Sequence, residues 1–186
     1  MDSIREWETL DRRLLVDRSP FAKIYDEDVQ LTNGTIIKNF VHIELPDFVI
    51  TFTVTSDGFV PFVRQFRQGL RDYTLELPAG HIDEGEETLM AAQRELREET
   101  GLEATNWRFL GKFIMDANRN CGWAYTYLAQ DAYQVTEPNH GDLGSLTVES
   151  VSLDEVRKRW TNGEFVSAPT SLCIGLALNA LNELVR

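Results

Sequence analysis

Three glutamates, Glu95, Glu98 and Glu99, crowd the last turn and a half of a segment that is expected to be helical. The carboxyl end of a helix is the negative end of its dipole, so each acid there costs about 0.3 to 1 kcal/mol. Arg94 can offset Glu98 at i+4, but Glu95 and Glu99 have no basic neighbour on their helix face. Clustered carboxylate oxygens suit a hard cation such as Mg²⁺ or Mn²⁺, and the alternative interpretation is a solvated acidic face.

The residues around these glutamates form a longer pattern. From Gly80 the chain reads GHIDEGEETLMAAQRELREETGL, which matches every defined position of the Nudix hydrolase motif G-x5-E-x7-R-E-U-x-E-E-x-G-U, where U is a bulky aliphatic residue. Agreement at so many fixed positions is not expected by chance, so the chain resembles a Nudix hydrolase. The resemblance implies an α/β fold, the Nudix α/β/α sandwich with a mixed sheet, in which metal is held against a diphosphate that water cleaves.

The resemblance also implies roles for single residues. Glu95 and Glu99 would be the main metal ligands, and Glu98 would be a further ligand. Ala79 would offer its backbone carbonyl to the metal, and Arg94 would orient the carboxylates. Metal ions of this kind neutralise charge on diphosphate oxygens and lower the pKa of an attacking water.

Two further segments are similar to one branch of the family, the ADP-ribose and nucleoside diphosphate sugar pyrophosphatases. Residues 64–68 read RQFRQ and residues 76–80 read ELPAG, close to the R-Q-Y-R strand and E-L-P-A-G segment of that branch. Arg67 matches an arginine that contacts substrate phosphate, and its planar fork suits a diphosphate. Arg64 is a second candidate, with a surface salt bridge as the alternative. Glu76 is expected to support the metal or Arg67, or to be purely structural.

The loop at residues 116–123 departs from the branch, whose ADP-ribose members usually carry a proline there. Its absence predicts that more than one sugar is accepted. Arg119 and Asn118 are candidates for contacting sugar or phosphate, unless the loop is only an irregular surface segment. Trp123 could stack on a base, although such aromatic residues more often pack in the core.

The resemblance to this branch implies a catalytic base in the loop before the last core strand, which corresponds to residues 137–144 here. Asp142 lies nearest the expected place, with Glu137, His140 and Glu149 as competitors. Glycines in this loop would permit it to close over the site. Glu98, or water activated by metal alone, is a further alternative.

Elements that must position these residues can be predicted from turns and periodicity. Residues 21–25, 28–32 and 35–45 predict a small antiparallel sheet, and residues 48–55 and 59–66 predict a hairpin with Pro61 at an edge or bulge. Helical spacing predicts a helix over 86–100 that Gly101 ends. The remaining chain predicts strands at 107–113, 124–128 and near 145–152, and helices over 153–163 and 169–186.

The first 45 residues are expected to form a segment distinct from the Nudix domain at 46–186. A sheet of two or three strands is too small to be stable alone and leaves edges that need a partner. The sequence therefore predicts a homodimer formed largely by the N-terminal segment.

Composition excludes several classes of protein. Thirty acidic and 18 basic residues give a net charge of −12, which repels nucleic acid and anionic lipid. No apolar stretch approaches the roughly 20 residues that cross a bilayer. Export is not expected, because the first residues mix charges and contain no apolar run of signal-peptide length. The two cysteines stand far apart, which excludes a disulfide framework and a thiolate zinc site and favours a cytoplasmic protein.

The combined prediction is a pyrophosphohydrolase that uses Mg²⁺ or Mn²⁺ and splits ADP-ribose or other nucleoside diphosphate sugars into a nucleoside monophosphate and a sugar phosphate. One alternative is a Nudix hydrolase of damaged nucleoside triphosphates or dinucleoside polyphosphates. The other is a nucleotide-sensing module without catalysis, for which eroded helix glutamates would be expected, whereas here they are intact.

Overall fold

The structure is a computed structural model that describes residues 6–139 and 146–184. Regular elements in these ranges follow one another as β1 (Glu8–Arg18), β2 (Ala22–Gln30), β3 (Ile36–Glu44), β4 (Phe48–Thr55), β5 (Phe59–Arg67), β6 (Asp72–Glu76), β7 (Ala79–His81), α1 (Thr88–Thr100), β8 (Leu102–Glu103), β9 (Asn106–Ile114), β10 (Trp123–Gln134), β11 (Thr147–Ser152), α2 (Leu153–Thr161) and α3 (Ala168–Leu184). The chain divides into two compact units, Met1–Pro46 with Ile114–Trp123, and Asp47–Phe113 with Ala124–Arg186.

The first unit contains an antiparallel sheet in the order β1-β2-β3. An antiparallel N-terminal sheet is confirmed, but two details of the prediction are wrong. Residues 21–25 and 28–32 are not two strands, because β2 runs through both with an irregularity between Glu27 and Val29. The sequence analysis also missed β1, because its many charged residues hide the alternation of apolar and polar side chains typical of a strand. These charges pair with β2 and β3, as Arg12 does with Glu27 and Glu44.

The second unit contains a mixed sheet and a separate antiparallel sheet. The mixed sheet has the order β7-β4-β10-β8, with β9 also paired to β10, and its central strands β4 and β10 run parallel. The second sheet has the order β11-β5-β6. Buried positions fill the middle of β4, as expected for a central strand covered on both faces.

The predicted hairpin over residues 48–66 is wrong. Gly58 does adopt a positive φ of 86° in the turn, but β4 and β5 enter different sheets. Turn residues specify only the local reversal, whereas the apolar faces of the two strands determine their partners. Pro61 is also not at an edge, because it lies in the middle strand of its sheet, opposite Ser150.

Helices cover both faces of the mixed sheet. Val49 of β4 packs with Ala91 and Ala92 of α1, while Phe52, which points to the other face, belongs to the same core cluster as Ile174 of α3. The α/β/α layering is therefore confirmed, and all three helices lie close to their predicted positions. Within the described residues, none of these helices has both the length and the apolar character needed to cross a membrane.

Candidate active site

Helix α1 presents its acids beside the segment that precedes it. Ala91, Ala92 and Leu96 are buried, which orients the helix, and Gly101 ends it with a left-handed φ of 73°. A side chain at Gly80 would collide with the carboxylate of Glu95, so any other residue there would displace that carboxylate from its position.

Arg94 is the centre of a charged network on α1. Its Nε and Nη2 donate to the two carboxylate oxygens of Glu86 at 3.0 and 2.9 Å, and Nη2 also donates to the carbonyl of His81 at 3.0 Å. Its Nη1 donates to Glu95 at 2.6 Å and lies 3.4 Å from a carboxylate oxygen of Glu98. Hydrogen bonding by Arg94 lowers the pKa of Glu86. The arginine therefore fixes the loop to the helix and orients two of the three predicted carboxylates.

Glu95 and Glu99 are held in a poorly solvated environment. Burial is the main cause that raises the pKa of Glu95, and it raises the pKa of Glu99 to about 7. The backbone N–H of Ala79 donates to Glu99 at 2.9 Å, so Ala79 does lie against the acid cluster. Among the residues that the structure describes, this neutral N–H is the hydrogen-bond donor to Glu99, and it does not offset the effect of burial on the ionised form.

The donor set fits a hard divalent cation. Glu95 and Glu99 are partly buried carboxylates with raised pKa values, and such groups gain most from an added positive charge. All the atoms that would bind the cation are oxygens, as Mg²⁺ and Mn²⁺ prefer. Among residues 6–139 and 146–184, no three His, Cys, Asp or Glu side chains are arranged as a metal-binding group. Arg94 binds Glu95 at 2.6 Å and lies 3.4 Å from Glu98.

A second arginine–glutamate pair lies on β5 and β6. Arg67 forms a two-pronged salt bridge with Glu76, in which Nε lies 3.2 Å from both carboxylate oxygens and Nη2 donates to one of them. Thr74 donates its hydroxyl to the same carboxylate at 2.8 Å. The sequence analysis missed Thr74, although recognising β6 would place it on the same strand face as Glu76.

Arg64 is engaged in a different contact. It forms a two-pronged salt bridge with Glu149 of β11, on an exposed part of the sheet. This contact matches the surface salt bridge that was the alternative for Arg64. Glu149, one of the competing base candidates, is occupied by the same contact, which lowers its pKa.

Arg119 belongs to the first unit. Its guanidinium donates to Asp116 at 3.1 Å, and Asp116 also accepts the backbone N–H groups of Asn118 and Arg119. The backbone carbonyl of Arg119 accepts a hydrogen bond from Ile43 at 2.8 Å. The loop is thus an ordered turn attached to β3, and a role for Arg119 in substrate binding stays a prediction.

A cleft of about 810 Å³ runs along α1. Arg94 and Glu98 line it from the helix, and Glu137 and Asn139 line it from the segment after β10. The backbone N–H of Asn139 donates to the carbonyl of Glu98 at 2.8 Å. The favoured base candidate, Asp142, and its competitor His140 fall outside the described residues.

Comparisons with known proteins identify relatives over most of the chain. The NUDIX domain model matches residues 46–169. The ADP-ribose pyrophosphatase of Bacillus subtilis (strain 168) is 31% identical over 152 residues, 81% of this chain and 82% of the relative. The methanol dehydrogenase activator of Bacillus methanolicus is 34% identical over 134 residues, 69% of this chain and 72% of the relative. A crystal structure of an ADP compounds hydrolase superposes with a TM-score of 0.84 at 25% identity and covers 99% of this chain and 98% of its own.

Proposed function

Because the chain belongs to the Nudix hydrolase family, we propose that it hydrolyses the diphosphate of ADP-ribose and of other nucleoside diphosphate sugars with the help of Mg²⁺ or Mn²⁺. Water adds its oxygen to one phosphorus, and the bridging oxygen leaves with the other phosphate. ADP-ribose would yield AMP and ribose 5-phosphate. The ADP-ribose pyrophosphatase from Bacillus subtilis and the solved ADP compounds hydrolase support this choice of substrate class.

The observation that carries the proposal is the pair of partly buried glutamates on α1, Glu95 and Glu99, whose pKa values are raised mainly by desolvation. Structural acids are normally matched by a cation, whereas Glu99 has an amide as its donor. Glu95, Glu99 and Glu98, with the backbone of Ala79, would hold the metal. When bound, the metal neutralises charge on the diphosphate and makes water more acidic.

Arg94 and Arg67 have separate roles in this proposal. Arg94 orients the carboxylates of Glu95 and Glu98 from one side. Arg67 binds the diphosphate through the guanidinium edge that points away from Glu76. Proton acceptance from water is assigned to Glu98 or Asp142.

The N-terminal sheet supports a proposal about assembly. Leu14, Leu15 and Phe21 expose 52, 54 and 68% of their surface. Large exposed apolar residues on a thin sheet favour a second copy of the chain as the partner. We therefore propose a homodimer built on residues 1–45, with residues 46–186 as the catalytic domain. The two free cysteines suit a reducing compartment, for which we propose the cytoplasm.

The proposal is tested by following ADP-ribose hydrolysis with phosphorus NMR. Mg²⁺ should permit stoichiometric release of AMP and ribose 5-phosphate, and EDTA should abolish it. The double variant Glu95→Gln/Glu99→Gln is the control for a contaminating hydrolase. Full activity in EDTA or in that variant would refute the metal assignment.

A further inference from the structure

The β5–β6 ladder brings three polar side chains to one face of the sheet. Gln65 stands opposite Thr74, and Arg67 stands opposite Asp72. Because side chains alternate along a strand, Arg67, Thr74 and Glu76 all point to the same face. Arg67 therefore reaches back along β6, past Thr74, to meet Glu76.

The hydrogen bonds in this group fix the carboxylate of Glu76. Thr74 has one hydroxyl proton, and the oxygen of Glu76 at 2.8 Å is a better acceptor than the carbonyl of Gln65 at 3.5 Å. The same carboxylate oxygen lies 3.2 Å from Nε of Arg67. Thr74 and Glu76 are 3 and 8% exposed. The carboxylate of Glu76 is thus held by the hydroxyl of Thr74 and in turn binds the guanidinium of Arg67.

Part of the Arg67 guanidinium is not used in the contact with Glu76. Its side chain is 43% exposed, against 10% for that of Glu76. Within the described parts of the chain, its Nη1 takes part in none of the contacts with Glu76, which use Nε and Nη2. Arg67 and Glu76 also act electrostatically on Glu99, since Arg67 lowers and Glu76 raises its pKa. The pair therefore lies within electrostatic reach of the acid cluster on α1.

We propose that Thr74 is a positioning residue for diphosphate binding, which acts through Glu76 to hold the guanidinium of Arg67 in its receptive orientation. The inference rests on the proposed function and adds a residue to it. A flexible arginine loses side-chain entropy when it binds an anion, and fixing it beforehand removes part of that loss.

The test is a set of kinetic measurements with ADP-ribose and Mg²⁺. Thr74→Val keeps the shape but removes the proton donor, and should raise KM about three- to tenfold with kcat within about twofold. Thr74→Ser should restore the wild-type KM. In an Arg67→Lys background, Thr74→Val should have no further effect, because Thr74 acts through Arg67.

Two controls separate positioning from folding. Thr53→Val removes another buried hydroxyl, which has no hydrogen-bond partner among residues 6–139 and 146–184, and should leave KM unchanged. Calorimetry in EDTA should show that Thr74→Val weakens ADP binding by the same factor by which it raises KM. The role of Thr74 would be overturned if Thr74→Val changed neither KM nor the affinity for ADP. It would also be overturned if Thr74→Val raised KM by the same factor in the Arg67→Lys background as in the wild type. If the wild-type protein hydrolyses no nucleoside diphosphate sugar, the proposed function fails and the ADP affinities alone decide this inference.

Discussion

Glu99 of α1 and Asp28 of the N-terminal sheet have opposite surroundings. In the sheet, Asp28 accepts a hydrogen bond from Arg13 at 2.9 Å, which lowers its pKa. On α1, Glu99 accepts an amide N–H, and burial raises its pKa to about 7. Paired acids of the first kind stabilise the fold. A poorly solvated acid such as Glu99 opposes folding, and its presence indicates a function that requires it.

The largest effect is expected from removing one charge of the α1 cluster. Glu99→Gln takes away a proposed metal ligand, so kcat for ADP-ribose should fall at least about a thousandfold. The apo protein should be as stable as the wild type or more stable, because repulsion with Glu95 is relieved. Stopped assays and urea unfolding in EDTA measure the two quantities. If Glu99→Gln lost activity because it unfolds, the contrast between Glu99 and Asp28 would be contradicted.

The second largest effect is expected at the exposed apolar residues of the N-terminal sheet. Leu14→Glu/Leu15→Glu places charge on a surface that we propose to be a dimer interface, and should weaken association at least about a hundredfold. Sedimentation at micromolar concentration measures this, with the wild type expected as a dimer. A wild-type monomer under those conditions would remove the assembly proposal.

The raised pKa of Glu99 predicts a pH dependence of the apo protein. The folded state holds a proton up to about pH 7, while the unfolded value is 4.5, so stability should fall as the pH rises from 4.5 to 7. The contribution is on the order of 2 kcal/mol after allowance for partial solvation. The difference in unfolding free energy between wild type and Glu99→Gln, measured in EDTA at pH 5 and pH 8, isolates it. A difference that does not change with pH would contradict the burial of this charge.

The smallest effect is expected in the sheet. Asp28→Asn should lower the melting temperature slightly at neutral pH and leave kcat unchanged. Because the folded pKa of Asp28 lies below the ordinary aspartate value of 3.8, its contribution to stability is present above that pH and is lost on further acidification. The two proteins should therefore converge in stability in strong acid, as thermal melts at several pH values would measure. A large loss of activity in Asp28→Asn would remove the contrast between the two acid groups.

The sequence predicted α1 and its acids well because local signals define them. Helical spacing, the cap at Gly101 and the defined positions of the motif all lie within one short segment. Glu86 and Arg94 are two of the defined positions of the motif, and the structure brings them together in a two-pronged contact.

Long-range pairing could not be read in the same way. The turn before Gly58 indicates a reversal, but the separation of β4 and β5 into two sheets depends on partners more than 60 residues away, such as Ala124 for Phe48 and Ser152 for Phe59. Thr74 was missed for a similar reason, since its role depends on Arg67 across the ladder.

The most direct test of the central claim compares kcat/KM among substrate classes at one fixed Mg²⁺ concentration. The panel contains ADP-ribose, at least one other nucleoside diphosphate sugar, a nucleoside triphosphate and a dinucleoside polyphosphate. We expect at least two nucleoside diphosphate sugars to agree within about tenfold, or about 1.4 kcal/mol, and to exceed the other classes clearly. A triphosphate or dinucleoside polyphosphate that exceeds every nucleoside diphosphate sugar by more than about a hundredfold would contradict the proposed substrate class.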